Sequence, residues 1–126
     1  MSKLKVTTIA DVTDSESTNV TNVINGSAKA WVNFSVISGT PTIVTQFNVS
    51  SLTDNGVGAY TVNFTNAMSD AYYVSFISTE ETGVECHISQ TNSGYDQTAS
   101  ALKVRCNLSG TSTNYDPNQV NVAVIR

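Results

Sequence analysis

Apolar and polar residues alternate with a period of two along much of this chain. The cleanest case is residues 101–108, where Leu102, Val104, Cys106 and Leu108 share one parity and Lys103, Arg105 and Asn107 the other. Successive side chains of a strand point to opposite faces, so this pattern marks a half-buried strand. Residues 28–36 repeat it, with Ala28, Ala30, Val32 and Phe34 against Lys29, Trp31 and Asn33. Further strands are expected at 4–9, 60–64, 71–79, 84–89 and 119–125, and from Phe47 and Val49 into Leu52. Turn chemistry separates them. Ser38-Gly39-Thr40-Pro41 makes one turn, and Asp54-Asn55-Gly56, lengthened by Val57-Gly58, makes a bulged hairpin loop. Between 11 and 26 the apolar residues Val12, Val20, Val23 and Ile24 are too few and too irregular to predict a helix.

Seven or eight short strands with turns between them predict an all-β fold, an antiparallel β-sandwich of jelly-roll-like form over residues 28–126. Residues 1–27 are expected to be an extended N-terminal arm that orders on attachment or exchange. Two strands are apolar on both faces. Tyr72, Val74 and Phe76 oppose Tyr73, Ser75 and Ile77, while Val120, Val122 and Val124 oppose Ala123 and Ile125. A two-sheet sandwich covers one face of each sheet, so the second face needs a cover. Taking the first set of each strand as inward, Tyr73, Ile77 and Ile125 are the expected oligomer interface.

Composition agrees with a sheet protein. Charged residues are only 13% of the chain, about half the usual share. Ser, Thr and Asn, 46 residues together, keep the surface wet in their place. The net charge is −4 and the six cations are scattered, which argues against nucleic acid, because phosphate neutralisation needs a clustered basic patch. No stretch has the roughly 20 apolar residues of a membrane helix, and residues 1–5 lack the apolar core of a secretion signal. Assembly in a cytoplasm is therefore expected, without membrane insertion.

Candidate chemistry is thin. The single histidine, His87, has no nucleophile elbow or oxyanion motif beside it, so no catalytic residue is expected. Asp11, Asp14 and Glu16 lack the spacing and glycine of a calcium loop, and Glu80, Glu81 and Glu85 do not make a glycosidase pair. No metal and no cofactor is expected. Cys86 and Cys106 fall at inward positions and read as reduced core thiols, with a disulfide between neighbouring strands as the alternative. Six Asn-X-Ser/Thr triplets reflect the abundance of these residues and are read as unmodified. Two long polar loops, 91–98 and 110–118, are each centred on Tyr-Asp. A tyrosine beside Asp and Asn can stack on a sugar ring and bond its hydroxyls, which makes Tyr95, Asp96, Tyr115 and Asp116 the candidate ligand-binding residues. The loops flank the strand 101–108 and so belong at opposite ends of the sandwich.

One stretch has a recognisable form. Ala28-Lys29-Ala30-Trp31-Val32-Asn33-Phe34, then Phe47-Asn48-Val49-Ser50-Ser51-Leu52-Thr53-Asp54-Asn55-Gly56, resembles a domain at the C-terminal ends of tail-fibre-like virion proteins of marine phages, cyanophages included. The likeness continues through Tyr60-Thr61-Val62-Asn63-Phe64 and Ala67-Met68-Ser69-Asp70-Ala71-Tyr72-Tyr73. The resemblance implies a virion structural protein and a homotrimer, assembled in a host cytoplasm. It also implies packing roles for Trp31, Phe34, Phe47, Tyr60, Val62 and Phe64. Two roles follow from it: a tail-fibre or tail-tip module touching a host receptor or glycan, or a capsid-decoration, head or collar module binding only other virion proteins.

Overall fold

A computed structural model describes residues 5–10, 17–80, 86–89 and 97–126. Ten strands and one short helix follow in the order β1 (Thr8–Ala10), β2 (Ser17–Asn19), α1 (Val20–Gly26), β3 (Ala28–Ile37), β4 (Thr40–Phe47), β5 (Val49–Asp54), β6 (Ala59–Phe64), β7 (Val74–Glu80), β8 (Cys86–Ser89), β9 (Ala101–Leu108) and β10 (Gln119–Ile125). β3 to β10 form two four-stranded antiparallel sheets, ordered β4-β3-β10-β7 and β5-β6-β9-β8. They pack together as an all-β sandwich.

The core is built from one parity of each strand, as alternation requires. Ala30, Val32, Phe34 and Val36 of β3 and Val120, Val122 and Val124 of β10 meet Val49 of β5, Tyr60, Val62 and Phe64 of β6, and Leu102, Val104 and Cys106 of β9. Burying each larger side chain contributes about 1.5–3 kcal/mol. Two edge-to-face ring pairs sit inside: Phe34 with Tyr60, 5.3 Å between centroids, and Phe64 with Tyr73 at 5.8 Å.

Asn48 marks where the chain leaves the first sheet for the second. Its φ of 54° turns the backbone sharply between β4 and β5. Its Nδ2 donates to the carbonyls of Lys29 (2.9 Å) and Asn66 (3.1 Å), and its Oδ1 accepts from the Asn66 amide at 2.8 Å. Asparagine tolerates this backbone region because its short amide can bond locally. The expected continuous strand from Phe47 to Leu52 is therefore broken at Asn48.

Three elements depart from expectation. β4 occupies residues read as a turn and a featureless stretch. Pro41 is accommodated because β4 is an edge strand, and a register shift opposite Asn33 and Phe34 disturbs its alternation at Val44. α1 occupies residues for which no helix was expected. Asn19 caps it by accepting the Thr21 amide at 2.8 Å, yet none of its residues is buried. β1 and β2 pair only with each other, outside both large sheets.

The facing of β7 is the third departure. Tyr73 is buried, its ring against Phe64 and its hydroxyl donating to the Ala101 carbonyl at 2.9 Å. Ile77 pairs with Val122 and packs on the core. The expectation that these two lie outside is overturned. Ile125 alone keeps its outward parity, paired with Val74.

Candidate functional site

The Tyr-Asp loop after β9 is a structural clasp. Asp116 Oδ1 accepts the Tyr60 hydroxyl at 2.6 Å and the Gly58 amide at 2.6 Å. Burial first, and then the bond to the Asp116 carboxylate, push the Tyr60 phenol far above its ordinary range. The backbone closes around Gly58: Cys106 donates its amide to the Gly58 carbonyl at 2.7 Å, and Tyr115 donates to the Cys106 carbonyl at 3.0 Å. A Cβ on Gly58 would lie 2.5 Å from the Cys106 carbonyl oxygen, so no larger residue fits. The loop also holds the buried amide of Asn107, whose Nδ2 donates to the Ser112 carbonyl and Asn114 Oδ1, both at 3.2 Å. Asp116 thus spends Oδ1 inside the fold, and both it and Tyr115 are half-buried. Tyr95 and Asp96 lie outside the described residues.

Loop 97–100 sits at the other end of β9. Ser100 accepts the Phe64 amide, Ala99 accepts the Met68 amide, and Gln97 Nε2 donates to the Tyr73 carbonyl. The Asp116 clasp, against the β5–β6 turn, is remote from it along the strand.

The unexpected surface is the outer face of the first sheet. Paired residues of neighbouring strands share a face, so the registers Phe47 with Trp31, Trp31 with Ala123, and Ala123 with Phe76 define one row across all four strands. Phe47 is 52% exposed, Trp31 38% and Phe76 58%, and beside them Val74 is 59% and Tyr72 81% exposed. Trp31 and Phe47, expected as packing residues, therefore stand outside the core. The adjoining row is uncharged amide and hydroxyl. Thr45, Asn33, Asn121 and Ser78 follow in register, with Asn33 Nδ2 donating to Asn121 Oδ1 and Asn121 Nδ2 to Ser78 Oγ. A shallow hollow of about 230 Å³ opens around Ala123, lined by Phe76, Ser78 and Asn121.

The outer face of the second sheet is of another kind. Thr53, Thr61 and Lys103 form one row there, and Ser51, Asn63 and Ala101 the next. Asn63 Nδ2 donates to Ser51 Oγ and Thr53 Oγ1 at 3.1 and 3.0 Å, which is ordinary solvated strand chemistry. Cys106 is fully buried in the core. Register sets it opposite Ile88 and sets Cys86 opposite Leu108, a diagonal relation. Among the described residues no helix is long and apolar enough to cross a membrane, and no group of three His, Cys, Asp or Glu could hold a metal.

With this geometry in hand, no protein-family model matches the chain, and no curated protein or solved structure is detectably similar to it. The outer face of the first sheet is thus the candidate site on its own physical merits. Sequence reasoning missed its aromatic row because that row contradicts the usual rule. In the first half of β7 the outward residues Val74 and Phe76 are more apolar than the inward Ser75, while Ser78 and Glu80 follow outward and Ile77 and Thr79 inward. The available signal was the matching parity of Ala123 and Ile125 on β10.

Proposed function

We propose that this chain is a virion structural protein of the tail-fibre or tail-tip type, acting by assembly and surface contact rather than by catalysis. One observation supports an assembly role above all: a sandwich with a complete core turns an uncharged aromatic row to the outside across an entire sheet. Proteins that break binary patterning without gaining a better core do so at working surfaces. The resemblance of residues 28–74 to phage tail-fibre-like domains supplies the setting, assembly in a host cytoplasm into a virion, and the number of copies, a homotrimer. In this reading residues 1–27 are the attachment arm, since α1 buries none of its residues. Contact with a host glycan or receptor belongs to the tail-tip form of the proposal. Capsid decoration or a head or collar module is the second form, favoured by the same flat apolar face if it is spent on other virion proteins.

Labelled antibody applied to intact virions separates the forms. Label at the tail extremity supports the tail-tip role, and label at head or collar supports decoration. Unlabelled virions, with the protein left in the soluble host fraction, would contradict both.

A further inference from the structure

We infer that the outer face of the first sheet is where one copy of this chain packs on another, with the row Phe47, Trp31, Ala123 and Phe76 at the centre of the contact. The inference rests on the homotrimer reading for the number of copies, but on the structure alone for the surface.

Area is the first argument. The exposed parts of Phe47, Trp31, Phe76, Val74 and Tyr72 together present on the order of 600 Å² of side chain, taking roughly 150–250 Å² for each fully exposed large residue. That reaches the top of the range for the largest apolar patch on a soluble monomer, about 300–600 Å². With the intervening Asn33, Asn121 and Ser78 it approaches the roughly 800 Å² that each partner gives to a stable protein contact.

Charge is the second argument. Interface centres are depleted of charge. The outward positions of the four strands carry only Lys29 and Glu80, both at the margins. Lys29 is turned away to the N-terminal segment, its Nζ donating to the Ile24 carbonyl and to Ser27 Oγ. The opposite sheet, in contrast, shows Lys103 among its outward threonines. Apart from Glu80 at one margin and the Arg126–Asp70 pair beside Tyr72 at another, a charged partner would find nothing to pair with on the first face, and the centre of a second copy would bring no charge that needs pairing.

Shape is the third. Ala123 is the one small residue in a row of rings, and the hollow of about 230 Å³ beside it lies on the same face as Trp31 and Phe47. One surface therefore carries both projecting rings and a recess, so that the rings of one copy can meet the recess of the next around a closed ring. Flat sheets turned toward a three-fold axis would enclose these residues as a shared triangular core. The described residues of the N-terminal segment do not serve as the cover, because the row stays exposed in their presence.

Trp31 is the chain's only tryptophan, so it reports directly on this face. The test is acrylamide quenching of Trp31 across a dilution series, with the mass followed by light scattering, for the wild type, Phe76→Glu and Lys103→Glu. The inference expects quenching to rise several-fold as wild-type assemblies dissociate. It also expects Phe76→Glu to remain monomeric and fully quenchable at every concentration, and Lys103→Glu to behave as wild type. A wild type that assembles while its quenching stays constant, a folded Phe76→Glu that assembles normally, or a monomeric wild type would each overturn it. Should Phe76→Glu fail to fold, as circular dichroism would reveal, the wild-type dilution series decides alone. A dimeric mass with Trp31 protected would overturn the trimer and sustain the surface.

Discussion

Asp116 shows how a residue with the right chemistry for a ligand can also serve its own fold. Its Oδ1 gathers a buried phenol and a glycine amide from the β5–β6 turn, tying that turn to the loop after β9. Asp116→Ala leaves both donors without their acceptor, which costs about 1–3 kcal/mol for each buried unsatisfied group. Urea unfolding should show a midpoint lowered to match, with Asp116→Asn intermediate because its amide oxygen still accepts. The tyrosines give a pH test. Burial pushes the Tyr73 phenol up from 10.0 to about 12, and Tyr60 is raised in the same direction by burial and by Asp116. A raised folded-state value means the native state holds its protons more tightly than the unfolded chain. The Tyr73 contribution is then complete below pH 10 and is lost as pH rises through about 12, and that of Tyr60 is lost at still higher pH. Phenolate absorbance should show these two groups titrating only as alkaline unfolding begins. Early titration of every tyrosine would contradict their burial.

At the scale of elements, the inner parities of β3, β6, β9 and β10 were legible because each strand alternates cleanly and the core takes the apolar set. Other elements failed for physical reasons that can be named. β4 carries Pro41 and a register shift, so its period is interrupted. α1 is one cap and two turns: Val20, Val23 and Ile24 do have helical spacing after Asn19, but the segment is too short for a period to stand out. β7 reads backwards because Tyr72, Val74 and Phe76 at its start make one parity look like the core set, which is why Tyr73 and Ile77 were expected outside and lie inside. Of the candidate ligand residues, the loop position of Tyr115 and Asp116 was legible. Their engagement with Gly58 and Cys106 was not, since it depends on contacts between distant segments.

Asn48 is the element-scale pivot on which the sandwich turns. Asn48→Gly keeps the backbone at φ 54° without strain but loses the side-chain bonds to Lys29 and Asn66, for about 1–2 kcal/mol. Asn48→Ala adds the left-handed backbone penalty, roughly 1–2 kcal/mol more. Thermal unfolding should therefore rank wild type above Gly above Ala, and equal stability of the Gly and Ala variants would refute the strained-turn account.

The whole molecule divides into a sandwich with its own core and an N-terminal segment outside both sheets. A chain starting at Ser27 should keep the β-rich circular dichroism of the full protein and, if residues 1–27 are the attachment arm, should fail to enter the virion. Normal incorporation of the truncated chain would exclude the arm. The sandwich itself buries one face of its first sheet and leaves the other aromatic, uncharged and exposed. In water that surface is unfavourable by the same hydrophobic effect that builds the core, so a cover over it would be stabilising. If another copy covers that face, as proposed, the two-sheet core and the covered face together make this chain an assembly module.

Sedimentation equilibrium of the full-length wild type at micromolar concentration tests that claim most directly. The account predicts a mass three times the 13.4 kDa of the chain, falling toward one chain on dilution. A single 13.4 kDa species at every concentration would contradict it.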